Sequence, residues 1–368
     1  MRTAKHHIYP LTSLRFFFAL AVFFHHCYFI TKRGEVELVR LYDRFFSEGY
    51  IGVSFFFLLS GFILAYNYGN DYFEAKGKTL RFYIARFARI YPLHLLTFMI
   101  MIPVSLHDLV ADSAYVVPLR LFTQFTLTQS LTFSEEYYST FNSPAWSIST
   151  EAVFYLAFPA LIIASTRIYK RLGQLSYLLL ILCLGLVPLG MLLTPEDWYH
   201  SLFYVSPLTR LFDFLIGIFL LFAFLAGKPE AISRWLATVL EIAGLSLLYL
   251  FIACSGEVGA VYRYSAYYWL PMAAVIYVFS FQRGWISVLL SGRIFIILGK
   301  ISFAFYLLHQ PCIRYFNKFR DLFFSYQNAY LDMLIIFCIT LVTSYLVYRF
   351  FERPVNRWIR ATFADRAN

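Results

Sequence analysis

The chain has 368 residues, of which 60% are hydrophobic, 21% aromatic and only 14% charged. A water-soluble domain has no surface that could hide so much apolar area, so the composition excludes a soluble enzyme and requires a chain dissolved in lipid. The net charge of +10 does not argue for nucleic acid, because the cytoplasmic loops of membrane proteins gather Lys and Arg for reasons of their own.

Apolar stretches of about twenty residues recur along the chain, each long enough to cross a hydrocarbon core of roughly 30 Å at about 1.5 Å per helical residue. They predict helices over Leu11 to Ile30, Tyr50 to Tyr66, Phe82 to Leu106, Ser147 to Ser165, Leu175 to Leu193, Pro207 to Ala226, Trp235 to Ala253, Ala266 to Phe281, Phe295 to Phe316 and Leu331 to Tyr348. The expected fold is therefore all-α, a polytopic transmembrane helix bundle of about ten helices in a single domain spanning residues 1–368. The segment Pro118 to Leu131 carries Arg120, Gln124 and Gln129 and covers only about 21 Å as a helix, which predicts a re-entrant or interfacial helix.

With the N-terminus inside and ten crossings, the inner segments hold 17 Lys and Arg and the outer ones 8, so both termini are expected in the cytoplasm. A full crossing at Pro118 to Leu131 would put Arg167, Lys170, Arg171 and the five arginines from Arg349 to Arg366 outside, against the same rule. Arg2 and Lys5 precede the first apolar run as in a secretory signal, but no small-residue cleavage site follows, and the run is expected to be retained. The five cysteines, Cys27, Cys183, Cys254, Cys312 and Cys338, lack metal-site or disulfide spacing and read as packing residues. No metal is expected, and no internal repeat stands out.

Six basic residues remain inside or at the edges of predicted spans: Arg15, Arg86, Arg89, Arg210, Lys300 and Arg314. A charge near the bilayer centre costs on the order of 2.5 to 3.5 kcal/mol, so it is expected to face protein or water and to have a task. Lys300 and Arg314 read most simply as snorkelling residues near helix ends. In the first helix, eleven steps of about 100° bring His26 to within about 20° of Arg15, whereas His25 lies about 80° away. His26 is then either a hydrogen-bonding tie between helices or a general base.

In the third helix Arg86 and Arg89 lie roughly 60° apart and could grip one anion, although both also fit the positive-inside pattern. The fourth helix opens Pro144-Ala-Trp146-Ser147-Ile-Ser149-Thr-Glu151. Ser147, Glu151 and Tyr155 make a polar stripe on it, and the buried carboxylate implies a partner such as His26 or an arginine. In the second helix small residues including Gly61 read as packing, with Ser60 a possible ligand contact. Near the C-terminus Ser302, Tyr306 and His309 share a stripe, and Arg210 with Asp213 at i, i+3 reads as an internal ion pair.

Taken in order, these pieces resemble the acyltransferase-3 family of bacterial membrane acyltransferases over nearly the whole chain. The Arg, ten residues, His pattern of its first helix is matched by Arg15 and His26, its Arg-x-x-Arg by Arg86 and Arg89, and its glycine, phenylalanine and serine stretch by Gly52 to Phe62. Its Trp-Ser-x-Ser-x-Glu element is matched by Trp146 to Glu151, and its Glu-x-Pro loosely by Glu352-Arg353-Pro354. The resemblance implies an acyl-coenzyme A donor, usually acetyl-CoA, on the cytoplasmic side. It implies a hydroxyl acceptor on a cell-surface or lipid-linked glycan, and a place in the bacterial cytoplasmic (inner) membrane among its lipids.

His26 and Glu151 are then the catalytic candidates, and Arg15, Arg86 and Arg89 the donor-binding ones. Ser60, Trp146, Ser147, Tyr155, Arg210, Tyr306 and His309 are the substrate-contact candidates. Cys27, beside His26, is a further nucleophile candidate, although neighbours on a helix diverge. Some family members carry an added esterase-like domain; none is expected in a chain ending about twenty residues beyond its last helix, which favours direct transfer or hand-over to a separate partner. The rival class is a proton-coupled transporter, because buried Arg, His and Glu also mark proton pathways.

Overall fold

Leu, Phe, Ile and Ala in long uninterrupted runs form helices here because a helix satisfies every backbone donor and acceptor without water. The computed structural model describes residues 7–33, 36–109, 116–227, 232–324 and 328–364; Arg2, Lys5 and Arg366 lie outside them. Among the described residues the structure is helical with no strand, and nine helical stretches are long and apolar enough to cross a membrane. The main helices are α1 (Tyr9–His26), α2 (Gly52–Tyr72), α3 (Lys78–Leu109), α4 (Val116–Thr126), α5 (Trp146–Leu172), α6 (Leu175–Leu193), α7 (Pro207–Ala226), α8 (Arg234–Ala253), α9 (Trp269–Ser280), α10 (Arg293–Phe323) and α11 (Ala329–Val347).

The chain is thus a polytopic membrane helix bundle. The difference from ten spans lies in the segment Ala266–Ser280, which is shorter than the others. A 3₁₀ turn, Ala266–Tyr268, feeds α9, and Gln282 at φ 57° turns the chain out just beyond the end of the helix. Segment α4 is also short, at 11 residues, and Leu127 at φ 56° ends it. It buries Arg120, Thr123 and Gln124 while leaving Leu119, Phe122 and Phe125 exposed, so its polar groups turn toward protein and its apolar ones outward, as lipid contact demands. Leu178, Ile181, Leu182, Leu186, Leu189 and Leu192 of α6 are likewise exposed.

The helices pack as two compact units, interleaved in sequence. The first comprises Met1–Phe18, Ile51–Thr79 and Val153–Lys300; the second comprises Ala19–Tyr50, Leu80–Ala152 and Ile301–Asn368.

In the first unit α2 and α7 meet backbone to backbone. A Cβ on Gly61 would stand 2.1 Å from the Phe214 carbonyl oxygen, and one on Gly217 would stand 2.0 Å from that of Leu58, the close approach that small residues permit between membrane helices. Beside this seam Arg210 is fully buried. It pairs with Asp213 at 2.9 Å, donates to Ser54 Oγ at 2.7 Å and to the Tyr264 carbonyl at 2.5 Å, and lies over the Phe57 ring at 5.2 Å. Trp269 Nε1 donates to the same Asp213. Glu241, in the middle of α8 and buried, accepts the amides of Gly284 at 3.1 Å, Ile286 at 3.1 Å and Ser287 at 3.3 Å. A carboxylate thereby caps the helix Trp285–Leu290, where the unpaired amides favour negative charge.

In the second unit Phe98, Met101 and Phe141 form an apolar cluster. The Tyr315 hydroxyl of α10 donates to the Ile100 carbonyl of α3 at 2.7 Å. Arg314 reaches Ser105 at 3.3 Å, and Arg320 joins Asp332 of α11 at 2.8 Å.

Two outcomes test this packing. Leu at Gly61 or Gly217 should cost roughly 1–3 kcal/mol or more through overpacking, seen as a lower unfolding temperature in detergent, whereas Gly185→Ala, whose added Cβ meets nothing within 4 Å, should leave that temperature unchanged. Arg210→Met should cost about 3–5 kcal/mol by stranding Asp213, and Arg210→Met combined with Asp213→Leu should recover most of it.

Candidate active site

The second unit brings together His26, Ser147, Glu151, Tyr306 and His309, five of the residues singled out by the sequence. The two neighbouring histidines at the end of α1 take different surroundings. The His25 ring sits edge-on to Tyr50 at 5.4 Å, whereas His26 meets His309, with Nδ1 of His26 3.2 Å from Nε2 of His309. Cys27, the next residue, is fully buried.

The hydrogens on this pair follow from what surrounds it. His309 Nδ1 lies 2.5 Å from the carbonyl oxygen of Tyr306. A carbonyl only accepts, so Nδ1 carries the hydrogen and, in the neutral ring, Nε2 carries the lone pair. His26 Nδ1 lies 2.9 Å from the carbonyl of Val22, so it too is the protonated nitrogen, and it is positioned to donate to His309. One hydrogen-bonded chain results, running from the Tyr306 carbonyl through both rings. It leaves Nε2 of His26 as the basic nitrogen.

Helix α10 supplies the other half of this geometry through Pro311. A proline has no N–H for the carbonyl four residues back. That carbonyl belongs to Leu307, and Asn142 Nδ2 donates to it at 2.9 Å. One turn earlier the Tyr306 hydroxyl is held in a clasp. It lies 2.8 Å from Ser147 Oγ and 3.1 Å from the Pro144 carbonyl, to which Ser147 also donates at 2.8 Å. The Glu151 carboxylate, one turn along α5, is close enough to act electrostatically on the same phenol. Ser147, Trp146, Tyr306 and Ser302 are buried, and Glu151 is half-buried.

Arg89 of α3 forms an ion pair with Glu352 and lies over the Phe303 ring at 4.7 Å. Arg86 packs over the Phe82 ring at 5.8 Å. In the sequence Glu352 stands only in a loose Glu-x-Pro motif, with no partner indicated. The signal available was a lone acidic residue among Arg349, Arg353, Arg357 and Arg360.

Arg15, Ser60, Tyr155 and Arg210 belong to the first unit. Arg210 is committed to the Asp213 ion pair that its spacing predicted. Tyr155 is buried, while Arg15 and Ser60 are half-buried and Lys300 is exposed. His7, just ahead of α1, is held below the usual histidine range by desolvation first and then by the Lys300 and Arg15 charges, so a cationic end forms there. Among the described residues no group of three or more His, Cys, Asp or Glu gathers as a metal site.

No solved structure matches the chain, but sequence relatives do. An acyltransferase of Streptomyces mycarofaciens, MdmB, is 30% identical over 329 residues, covering 84% of this chain and 79% of the relative. The O-acetyltransferase OatA of Staphylococcus aureus is 24% identical over 339 residues, covering 88% of this chain but only 55% of the relative; the chain spans about half the length of that group of relatives. The family model described as an acyltransferase domain matches residues 8–349. The ordered polar residues of the helices and this match together place the chain in the acyltransferase-3 family of multi-pass membrane acyltransferases.

Proposed function

We propose that the chain is an O-acyltransferase, in the first instance an O-acetyltransferase, of the bacterial cytoplasmic membrane. Its donor is acyl-CoA on the cytoplasmic side, and its acceptor is a hydroxyl of a cell-surface or lipid-linked glycan. The observation that carries this reading is the His26–His309 pair, with a 3.2 Å contact and a defined basic nitrogen, set in a family of acyltransferases. The name of the Staphylococcus aureus relative, O-acetyltransferase, supports oxygen as the acceptor atom. The excess of Lys and Arg on one set of loops supports a cytoplasmic donor side and cytoplasmic termini.

In the proposed step the acceptor hydroxyl gives its proton to Nε2 of His26 as its oxygen attacks the thioester carbonyl. The oxygen–carbon bond forms, the carbon–sulfur bond breaks, and the departing CoA thiolate takes up the proton from His26. Glu151 and the Ser147–Tyr306 clasp shape the acceptor side. Arg89, braced by Glu352, and Arg86 one turn away hold donor phosphates, for which the guanidinium fork is suited.

His26→Asn should lower acyl transfer by on the order of 10²–10⁴-fold while acetyl-CoA still binds, read by mass spectrometry of surface glycans in cells and by calorimetry on purified protein. Undiminished glycan acylation would falsify the catalytic reading. Arg86→Ala should weaken acetyl-CoA binding by about tenfold or more, the worth of one charge-assisted hydrogen bond. Unchanged affinity in Arg86→Ala combined with Arg89→Ala removes the phosphate role, and wild-type protein that fails to bind acetyl-CoA favours a transporter instead.

A further inference from the structure

His309 is fully buried, so its ring meets the reaction through its neighbours. We propose that His309 is a positioning residue for acyl transfer: its Nε2 accepts the Nδ1–H of His26 and so fixes the tautomer that presents His26 Nε2 as the base. This rests on the transferase reading and adds a second imidazole to it, in a part other than substrate contact.

The hydrogen-bond geometry argues for the dependence. Without His309, His26 Nδ1 keeps the Val22 carbonyl at 2.9 Å. That carbonyl stands four residues back on the same helix and also serves the backbone N–H of His26, so the single Nδ1–H is divided between it and His309 Nε2 at 3.2 Å. His309 in turn cannot reverse its own polarity, because the Tyr306 carbonyl requires a donor at Nδ1. Its position along α10 is secured on either side. Asn142 occupies the Leu307 carbonyl released by Pro311, and the Ser147 and Pro144 contacts hold the Tyr306 hydroxyl. Phe23, itself fully buried, stands edge-on to the His309 ring at 6.5 Å.

The arrangement has the logic of a nucleophile's histidine oriented by a third group, with a neutral imidazole in the place an aspartate takes in serine hydrolases. When His26 gains a proton at Nε2, its Nδ1–H already points at a lone pair. The positive charge is then shared across two rings, which suits an apolar interior better than an ion localised on one.

The test compares wild type, His309→Phe, which fills the space but cannot accept, and His309→Gln, whose Oε1 can accept where Nε2 did. Solid-state ¹⁵N NMR of the full-length, histidine-labelled protein in lipid reports the tautomer of His26, assigned through His26→Asn, and needs no acceptor. The expected result is His26 protonated at Nδ1 in wild type and in His309→Gln, and a shift toward Nε2–H in His309→Phe. Glycan acylation in cells should fall by on the order of 10²–10⁴-fold in His309→Phe and recover most of the way in His309→Gln, with acetyl-CoA affinity and unfolding temperature little changed. A wild-type His26 protonated at Nε2 overturns the proposal even if His309→Phe fails to fold. So does an unchanged His26 spectrum in a folded His309→Phe. Normal acylation by His26→Asn instead overturns the transferase reading beneath it, so the two failures are separable.

Discussion

In a bilayer interior each polar side chain must find its partner within the protein, because no water is there to supply one and an unsatisfied group costs several kcal/mol. With 60% of the residues hydrophobic, this constraint governs the few polar residues left inside the helices. Arg210 is wrapped by Asp213, Ser54, the Tyr264 carbonyl and an aromatic ring. Glu241 is spent on the amides of a short helix. Asn142 serves the carbonyl that Pro311 leaves unpaired. None of these can be removed singly without stranding its partner, which is why polar residues in such a fold constrain one another more tightly than the apolar ones around them.

The same constraint separates structure from chemistry. Arg210 has the residue type expected of a substrate contact, yet its donors close on groups within its own unit. The imidazole pair differs, because satisfying both its carbonyl partners consumes only one nitrogen on His26. A tie whose only task was to join two helices would be complete at that point. The second nitrogen is what makes the pair chemically useful in the proposed reaction, and its lone pair follows from carbonyls that can only accept.

Arg89 shows an intermediate case. Its ion pair with Glu352 and its place over Phe303 hold the guanidinium still while leaving it a quarter exposed. A charge fixed in this way meets an anion with less loss of side-chain freedom than a solvated one. The loosely matched Glu-x-Pro region thereby gains a physical role, as the brace of an arginine on a distant helix.

The helices themselves were legible in the sequence, because length and apolarity are local properties. The segments Leu175 to Leu193 and Pro207 to Ala226 were read to the residue, and the others within a few residues, apart from the helical extensions of α2, α5 and α10 into polar flanks. Helical phase, also local, separated His26 from His25 and set Tyr306 and His309 on one stripe. Even the Arg210–Asp213 pair needed only its spacing of three. What the sequence could not supply was the partner of each polar group across the bundle. His26 finds His309 across 283 residues, and Arg89 finds Glu352 across 263. Those choices depend on which helices the packing brings side by side, and periodicity carries no such information. The sequence by itself determined that an imidazole would stand in lipid on a particular helix face; the tertiary structure alone decided that a second imidazole would meet it and which of its nitrogens would be left to act as the base.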